Sequence, residues 1–199
     1  VVRVTATDGA VGVSSIDPSN RATSPNTAPE LAIAIQEIVG PALIGEDPGN
    51  VNRVVEMATK LTPTQPGAAA GVELACVDLV SRRMGVAFHD YLGGAVLDQM
   101  LFNGWVGELP ADEAAADAKG WQDAGFKSLK IKVGNVVDTD SARVMAVRDA
   151  VGPNMKLRMD ANQQCTVSQA LALCHAVKSC DMQLFEQPTP KEDLEGLAQ

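Results

Sequence analysis

The stretch LKIKVG, residues 129–134, decides the fold of the second half of this chain. Because successive side chains of a strand point to opposite faces, Lys130 and Lys132 share one face and Ile131 takes the other. The neighbouring apolar residues Leu129 and Val133 indicate a buried strand of an α/β protein. Buried ammonium groups are costly to desolvate and repel each other. The pair is therefore either two surface lysines whose ends reach water or part of a site.

The sequence around this strand alternates between predicted strands and predicted helices. The other predicted strands are LFNGWVG (101–107), MKLRMDAN (155–162) and MQLFEQP (182–188), and each is followed by a helical pattern. Four βα units in series predict a parallel sheet, either open or closed into a barrel.

The first half of the chain has a different pattern. Residues 1–16 alternate around Asp8-Gly9 and predict a hairpin, which a polar loop, residues 17–26, follows. Thr27 and Glu30 fit a capping box that opens the first of three predicted helices. We therefore predict a small α+β domain over residues 1–97 and the βα region over residues 98–199.

Composition excludes several classes of protein. The chain has 199 residues, 46% hydrophobic and 21% charged, and a net charge of −9. This profile is globular, and its acidic balance argues against nucleic acid as a partner. The four cysteines show no CxxC spacing, which favours reduced thiols and a cytoplasmic location. No apolar run reaches the ~18 residues that a membrane span needs.

Polar side chains recur at the carboxyl ends of three successive predicted strands. Lys130 and Lys132 end the second strand, Asp160 and Asn162 the third, and Glu186 the fourth, each about one βα unit after the last. A single carboxylate at a strand end is commonly a helix cap or a surface ion pair, but charges in register on adjacent strands predict a site. Carboxylates suit Mg²⁺. A desolvated lysine beside a second cation has a lowered pKa and can serve as a general base.

The motifs LKIKVG, MDAN and FEQP, in this order and spacing, resemble the enolase superfamily, in its muconate lactonizing enzyme and mandelate racemase group. IGEDPGN (44–50) and the stretch 71–94 are similar to the capping domain of that family. The resemblance implies an N-terminal α+β capping domain, lacking its first strand, and the first four βα units of a modified TIM barrel, (β/α)7β. The chain begins without Met inside a strand pattern and stops inside a helix pattern, so we interpret it as a fragment that lacks the C-terminal half of the barrel.

The resemblance also implies roles for single residues. Lys132 would be the base that removes the α-proton of a carboxylate substrate. Lys130 would favour the neutral form of that base and help to bind the carboxylate. Asp160 and Glu186 would be Mg²⁺ ligands, with Mn²⁺ as a substitute. Two residues would support the metal ligands and lysines from behind, namely Asn162 and Gln187. A loop that would close over the substrate and set specificity contains Ser14, Ser15, Ile16 and Arg21.

The implied function is Mg²⁺-dependent abstraction of the α-proton of a small carboxylate substrate to give a metal-stabilised enolate. Racemisation, epimerisation or cycloisomerisation would follow. One alternative is a dehydratase (lyase) of an acid sugar or a hydroxyproline-type substrate, and another is a non-catalytic ligand-binding relative. The third metal ligand and the acid/base of the opposite face would lie beyond Gln199. We therefore expect residues 1–199 alone to be inactive and the full-length protein to form a homo-oligomer.

Overall fold

The computed structural model describes residues 1–18 and 26–199, which divide into two compact units, Val1–Asp98 and Gln99–Gln199. The first unit opens with an antiparallel hairpin of β1 (Val2–Thr5) and β2 (Val11–Ser14). Its helices are α1 (Ala28–Ile33), a π-helical segment (Ala34–Val39), α2 (Gly40–Leu43), α3 (Val51–Leu61), α4 (Pro66–Met84) and α5 (Phe88–Tyr91).

The hairpin packs against α4, and a glycine makes the close approach between them. A Cβ atom on Gly12 would lie 2.0 Å from the carbonyl oxygen of Ala75 and 2.5 Å from the amide nitrogen of Leu79. Only a residue without a side chain fits there. The predicted capping box is present, because the backbone N–H of Thr27 donates to Glu30 at 2.6 Å and the Thr27 side chain accepts from the third helical residue.

The second unit is a four-stranded parallel sheet in the order β3-β4-β5-β6. Its strands are β3 (Gly104–Val106), β4 (Ser128–Lys132), β5 (Lys156–Asp160) and β6 (Met182–Glu186). The connecting helices are α6 (Ala111–Asp123), α7 (Val137–Val151) and α8 (Val167–Ala176), a 3₁₀ turn spans Lys178–Cys180, and α9 (Leu194–Leu197) follows β6. The predicted α/β class, a small antiparallel sheet followed by a parallel one, is confirmed.

The first parallel strand is shorter than the sequence predicts. Pairing with β4 begins at Gly104, opposite Leu129, so residues 101–103 of the predicted strand lie outside the sheet. Phe102 is consequently exposed rather than part of a strand. Among the described residues, no helix combines the length and apolar character that a bilayer crossing requires.

The core of the second unit lies between the sheet and its helices. Leu129 and Ile131 of β4, with Leu157 of β5, are fully buried and pack with Val144 and Val147 of α7. Since β4 alternates strictly between buried and half-buried residues, burying Leu129 and Ile131 turns Lys130 and Lys132 to the other face. The packing of this core therefore fixes the direction of both lysines.

Candidate active site

Three charged residues form one row across the carboxyl ends of neighbouring strands. Lys132 of β4 is the cross-strand partner of Asp160 of β5, and Asp160 is the partner of Glu186 of β6. The side chains of Lys130 and Lys132 are 24% and 18% exposed, so neither is a surface lysine extended into water. Both are held at the end of the sheet where parallel α/β folds build their sites.

Direct ion pairs connect these side chains. The ammonium nitrogen of Lys132 lies 2.6 Å from Oδ2 of Asp160, and that of Lys130 lies 3.1 Å from the same oxygen. Lys130 also lies 3.4 Å from Oε2 of Glu186. Asp160 is almost fully buried, whereas the side chain of Glu186 is 41% exposed. Two cations and two anions thus compensate one another in a partly desolvated cluster, which explains how this sheet end holds two ammonium groups.

The carboxylates shift the ionisation of this cluster. Burial raises the pKa of Asp160, but hydrogen bonds from Lys132, the backbone amide of Asn162 and Lys130 outweigh it and hold the pKa below its usual value. Burial lowers the pKa of Lys130, but the hydrogen bond and charge of Asp160, aided by Glu186, outweigh it and raise the pKa.

Asn162 links the two most buried members of the site. Its side-chain oxygen accepts a hydrogen bond from Lys132 at 2.5 Å, and its backbone N–H donates to Oδ1 of Asp160 at 3.0 Å. Gln187 contributes its backbone carbonyl, which accepts from the amide of Gln163 at 2.8 Å. A further bond between the same two loops runs from the amide of Cys165 to the carbonyl of Pro188, at 3.0 Å. The loops that follow Asp160 and Glu186 are therefore joined to each other.

These loops contain strained backbone. Asn162, Gln163 and Gln187 have φ values of 46°, 71° and 40°, a region that non-glycine residues rarely adopt. Such residues cluster at functional sites, where the surrounding structure holds them in place. The sequence gives a signal only for Asn162, since asparagine tolerates this conformation better than glutamine does. Gln163 was missed by sequence reasoning.

The residues predicted for a specificity loop belong to the first unit. Ser14 is the last residue of β2, and its hydroxyl donates to the carbonyl of Gly71 at 2.6 Å. Ser15 is exposed, and Ile16 packs against α4 next to Gly71. Arg21 lies outside the described residues.

The chemistry of the site fits a small divalent cation. Among residues 1–18 and 26–199, no group of three or more His, Cys, Asp or Glu residues has the geometry of a metal site. Asp160 and Glu186 nevertheless both contact the single ammonium nitrogen of Lys130, so their oxygens face one small volume. Mg²⁺ is commonly bound through one or two carboxylates, with water or substrate completing its shell. These two side chains fit that mode.

A buried ion pair behind the site was also missed by sequence reasoning. Asp140 and Arg143 of α7 are 1% and 3% exposed and contact each other at 2.6 Å. The available signal was a pair of opposite charges three residues apart, inside a helix whose apolar face includes Val144, Val147 and Val151.

Comparison with known proteins gives two family matches that together cover most of the chain. The family model "Mandelate racemase / muconate lactonizing enzyme, N-terminal domain" matches residues 1–93. The model "Enolase C-terminal domain-like" matches residues 113–199.

Individual relatives agree with these matches. The hydrophobic dipeptide epimerase of Enterococcus faecalis is 34% identical, over 99% of this chain and 55% of its own length. The cis-3-hydroxy-L-proline dehydratase of Roseibium aggregatum is 30% identical, over 94% of this chain and 51% of its own. The chain thus spans about half the length of the curated relatives it matches.

Solved structures give the same picture. A dipeptide epimerase from Enterococcus faecalis, crystallised with Mg and the dipeptide L-Leu-L-Tyr, matches with a TM-score of 0.86 and 32% identity. The match covers 98% of this chain and 54% of that protein.

Proposed function

The chain belongs to the mandelate racemase and muconate lactonizing enzyme group of the enolase superfamily, and from this premise we propose that the full-length protein removes the α-proton of a small carboxylate substrate and returns a proton to racemise or epimerise it. The observation that carries the proposal is the row of Lys132, Asp160 and Glu186 at the ends of three adjacent strands. It combines a group that can accept a proton with anions that can hold a cation.

In this mechanism Lys132 is the base. Its neutral amine takes the α-proton and becomes an ammonium ion, and the electron pair of the broken C–H bond moves onto the substrate carboxylate. Asn162 accepts a hydrogen bond from the Lys132 ammonium nitrogen and so orients that nitrogen. Lys130 contributes a positive charge next to the carboxylate of the substrate. A second group must return a proton on the opposite face, and we assign it to a position beyond Gln199, as the family resemblance implies.

Asp160 and Glu186 would hold Mg²⁺, or Mn²⁺, which prefers similar oxygen ligands. When bound, the cation supplies positive charge where negative charge develops on the substrate carboxylate. Asp160 now pairs with both lysines, and Glu186 pairs with Lys130. A bound cation would compete for these oxygens and so weaken their ion pairs with the lysines.

We propose an amino-acid derivative with a free carboxylate as the substrate class, with dipeptides first, since an epimerase of hydrophobic dipeptides is among the most similar relatives. The second candidate is a dehydratase, which the hydroxyproline dehydratase relative favours. There the electron pair left by the α-proton expels a β-hydroxyl. Assembly into a homo-oligomer and a cytoplasmic location stay predictions from the sequence.

The test is exchange of the substrate α-proton for deuterium, catalysed by the full-length protein in D₂O with Mg²⁺ and measured by NMR over a panel of L- and D-configured dipeptides. We expect exchange and epimerisation, and we expect Lys132→Ala to abolish exchange for the epimer whose α-proton faces Lys132. Lys156→Ala, an exposed lysine at the opposite end of β5, is the control and should leave exchange unchanged. Loss of a hydroxyl with a new keto product would identify the dehydratase instead. Full exchange in Lys132→Ala would contradict the assigned base.

A further inference from the structure

Arg143 lies directly behind the strand end that carries Lys132. Its Nη1 donates to the backbone carbonyl of Lys132 at 3.0 Å and to Oδ1 of Asp140 at 2.6 Å. Its Nε donates to the carbonyl of Leu109 at 2.5 Å, in the segment after β3. One guanidinium thus joins the connection after β3, the end of β4 and helix α7, with only 3% of the residue exposed.

Asp140 completes the network on the other side of the same turn. Its Oδ2 accepts the backbone N–H groups of Gly134 and Asn135, at 2.8 and 2.9 Å. The side chains of Arg143 and Asp140 therefore hold the backbone at residues 132, 134 and 135. These residues form the exit of β4, the segment in which the chain leaves the strand. Gly134 has a φ of 121°, so this exit has a conformation that few other residues would keep.

We propose that Arg143 and Asp140 are positioning residues that fix the direction of the Lys132 side chain, a role that rests on the proposed function. A buried ion pair adds little stability compared with well-packed apolar side chains. Here the ion pair fixes geometry, because the planar guanidinium of Arg143 can donate to three acceptors at fixed angles. Small displacements of a catalytic group reduce rates steeply, and Arg143 and Asp140 together hold the backbone at Lys132, Gly134 and Asn135.

The same helix provides a matched control. Arg148, five residues further along α7, also donates to three groups, the carbonyls of Cys180, Gly152 and Met155, at 2.7 to 2.9 Å. These carbonyls precede β5 and β6, at the end of the sheet opposite the site. Arg148 therefore has the same chemistry and a comparable structural role without contact to the exit of β4.

The experiment compares Arg143→Lys with Arg148→Lys in the full-length protein, and uses Lys132→Ala as the reference. Lysine keeps the charge but cannot donate along three fixed directions. We expect Arg143→Lys to slow α-proton exchange about 30-fold for the epimer whose exchange Lys132→Ala abolishes. The exchange rate of the other epimer, and KM, should change by less than about 3-fold. Arg148→Lys should lower the melting temperature and leave the ratio of the exchange rates of the two epimers unchanged. Asp140→Asn keeps the shape of the acceptor and should shift the ratio in the same direction.

If Arg143→Lys and Asp140→Asn slow the exchange of both epimers equally, or leave the ratio of the two exchange rates unchanged, the positioning role is overturned. If Arg143→Lys does not fold, the ratio in Asp140→Asn decides by the same criterion. A failure of the proposed function is recognised separately, because Lys132→Ala would then show no loss of exchange for either epimer.

Discussion

At the scale of single residues, the site is a compensated cluster in which each charge has a different degree of burial. Asp160 is buried and contacts both lysines, whereas Glu186 is partly exposed and, of these two lysines, contacts Lys130. Glu186 is therefore the carboxylate that a cation can reach with the smaller cost in lost ion pairs.

The first prediction concerns Glu186→Gln in the full-length protein. The change removes one anionic ligand and keeps the size of the side chain, so we expect Mg²⁺ affinity to fall at least about 10-fold, by analogy with the effect of perturbing groups around metal ligands. Activity at limiting Mg²⁺ should collapse. Isothermal titration with MgCl₂, followed by an activity titration, measures both.

The control for this change is Glu192→Gln. Glu192 lies six residues further along, is about three-quarters exposed and pairs only weakly, at 3.7 Å, with Lys191. It should leave Mg²⁺ affinity unchanged. Near-normal affinity and activity in Glu186→Gln would remove Glu186 from the metal site.

The types of these residues and their spacing were readable from the sequence, because charge on a strand with buried neighbours is unusual. Their pairing was not readable. Whether Lys130 meets a cation or a carboxylate depends on side-chain directions across three strands, and the structure gives it two carboxylates. The left-handed backbone at Gln163 and Gln187 likewise depends on hydrogen bonds between loops that are distant in sequence.

At the scale of elements, Asp78 of α4 connects the helix to the free edge of β2. Its Oδ2 accepts the backbone N–H of Val13 at 2.9 Å, and Arg82 donates to the same carboxylate. The bond from Val13 holds the pKa of Asp78 below its usual value, against the opposing effect of burial and with help from Arg82.

The second prediction follows from that lowered pKa. A carboxylate with a depressed folded-state pKa adds stability above its unfolded value of about 3.9, and this stability is lost as pH falls through the folded pKa. Asp78→Asn should therefore lower the free energy of unfolding by about 1 kcal/mol at pH 7, typical of a hydrogen bond to a charged group at a partly exposed site. The difference from the unchanged protein should be smaller at pH 3 than at pH 7. Urea unfolding followed by circular dichroism at both pH values checks this.

Glu73→Gln is the matched control for the helix. Glu73 is half-buried on α4, and among residues 1–18 and 26–199 its side chain makes no hydrogen bond or ion pair, so its replacement should change stability little at either pH. A loss for Asp78→Asn that is the same at pH 3 and pH 7 would show that the charge is not the cause.

Helices and strands were predictable where periodicity was long. The sequence predicts helices over about residues 50–61 and 67–84, and α3 and α4 match these bounds within one residue. They match because the apolar faces of both helices repeat over several turns. The π-helical segment Ala34–Val39 was not predictable. It depends on the amide of Gly40 donating to the carbonyl of Ile35, a choice between neighbouring carbonyls that the apolar pattern does not encode.

At the scale of the whole molecule, the parallel sheet has a strand at its edge that differs from the strands beside it. β4 and β5 have alternating buried residues, but no residue of β6 is fully buried, and Leu184 is 48% exposed. Within the part of the chain that the structure describes, β6 pairs only with β5. An edge strand with exposed apolar side chains is a surface for association.

The third prediction is that purified residues 1–199 self-associate through β6. Exposed apolar area and unpaired backbone at one edge favour pairing with a second copy, so sedimentation velocity should show a concentration-dependent shift above the monomer. Leu184→Lys places a charge in the middle of this edge and should restore the monomer, as charged edge residues do in natural sheets. Leu171→Lys is the control, because Leu171 is a comparably exposed leucine on α8, away from the sheet edge. A monomer in the unchanged chain, or an equal effect of both substitutions, would show that β6 is not the surface of association.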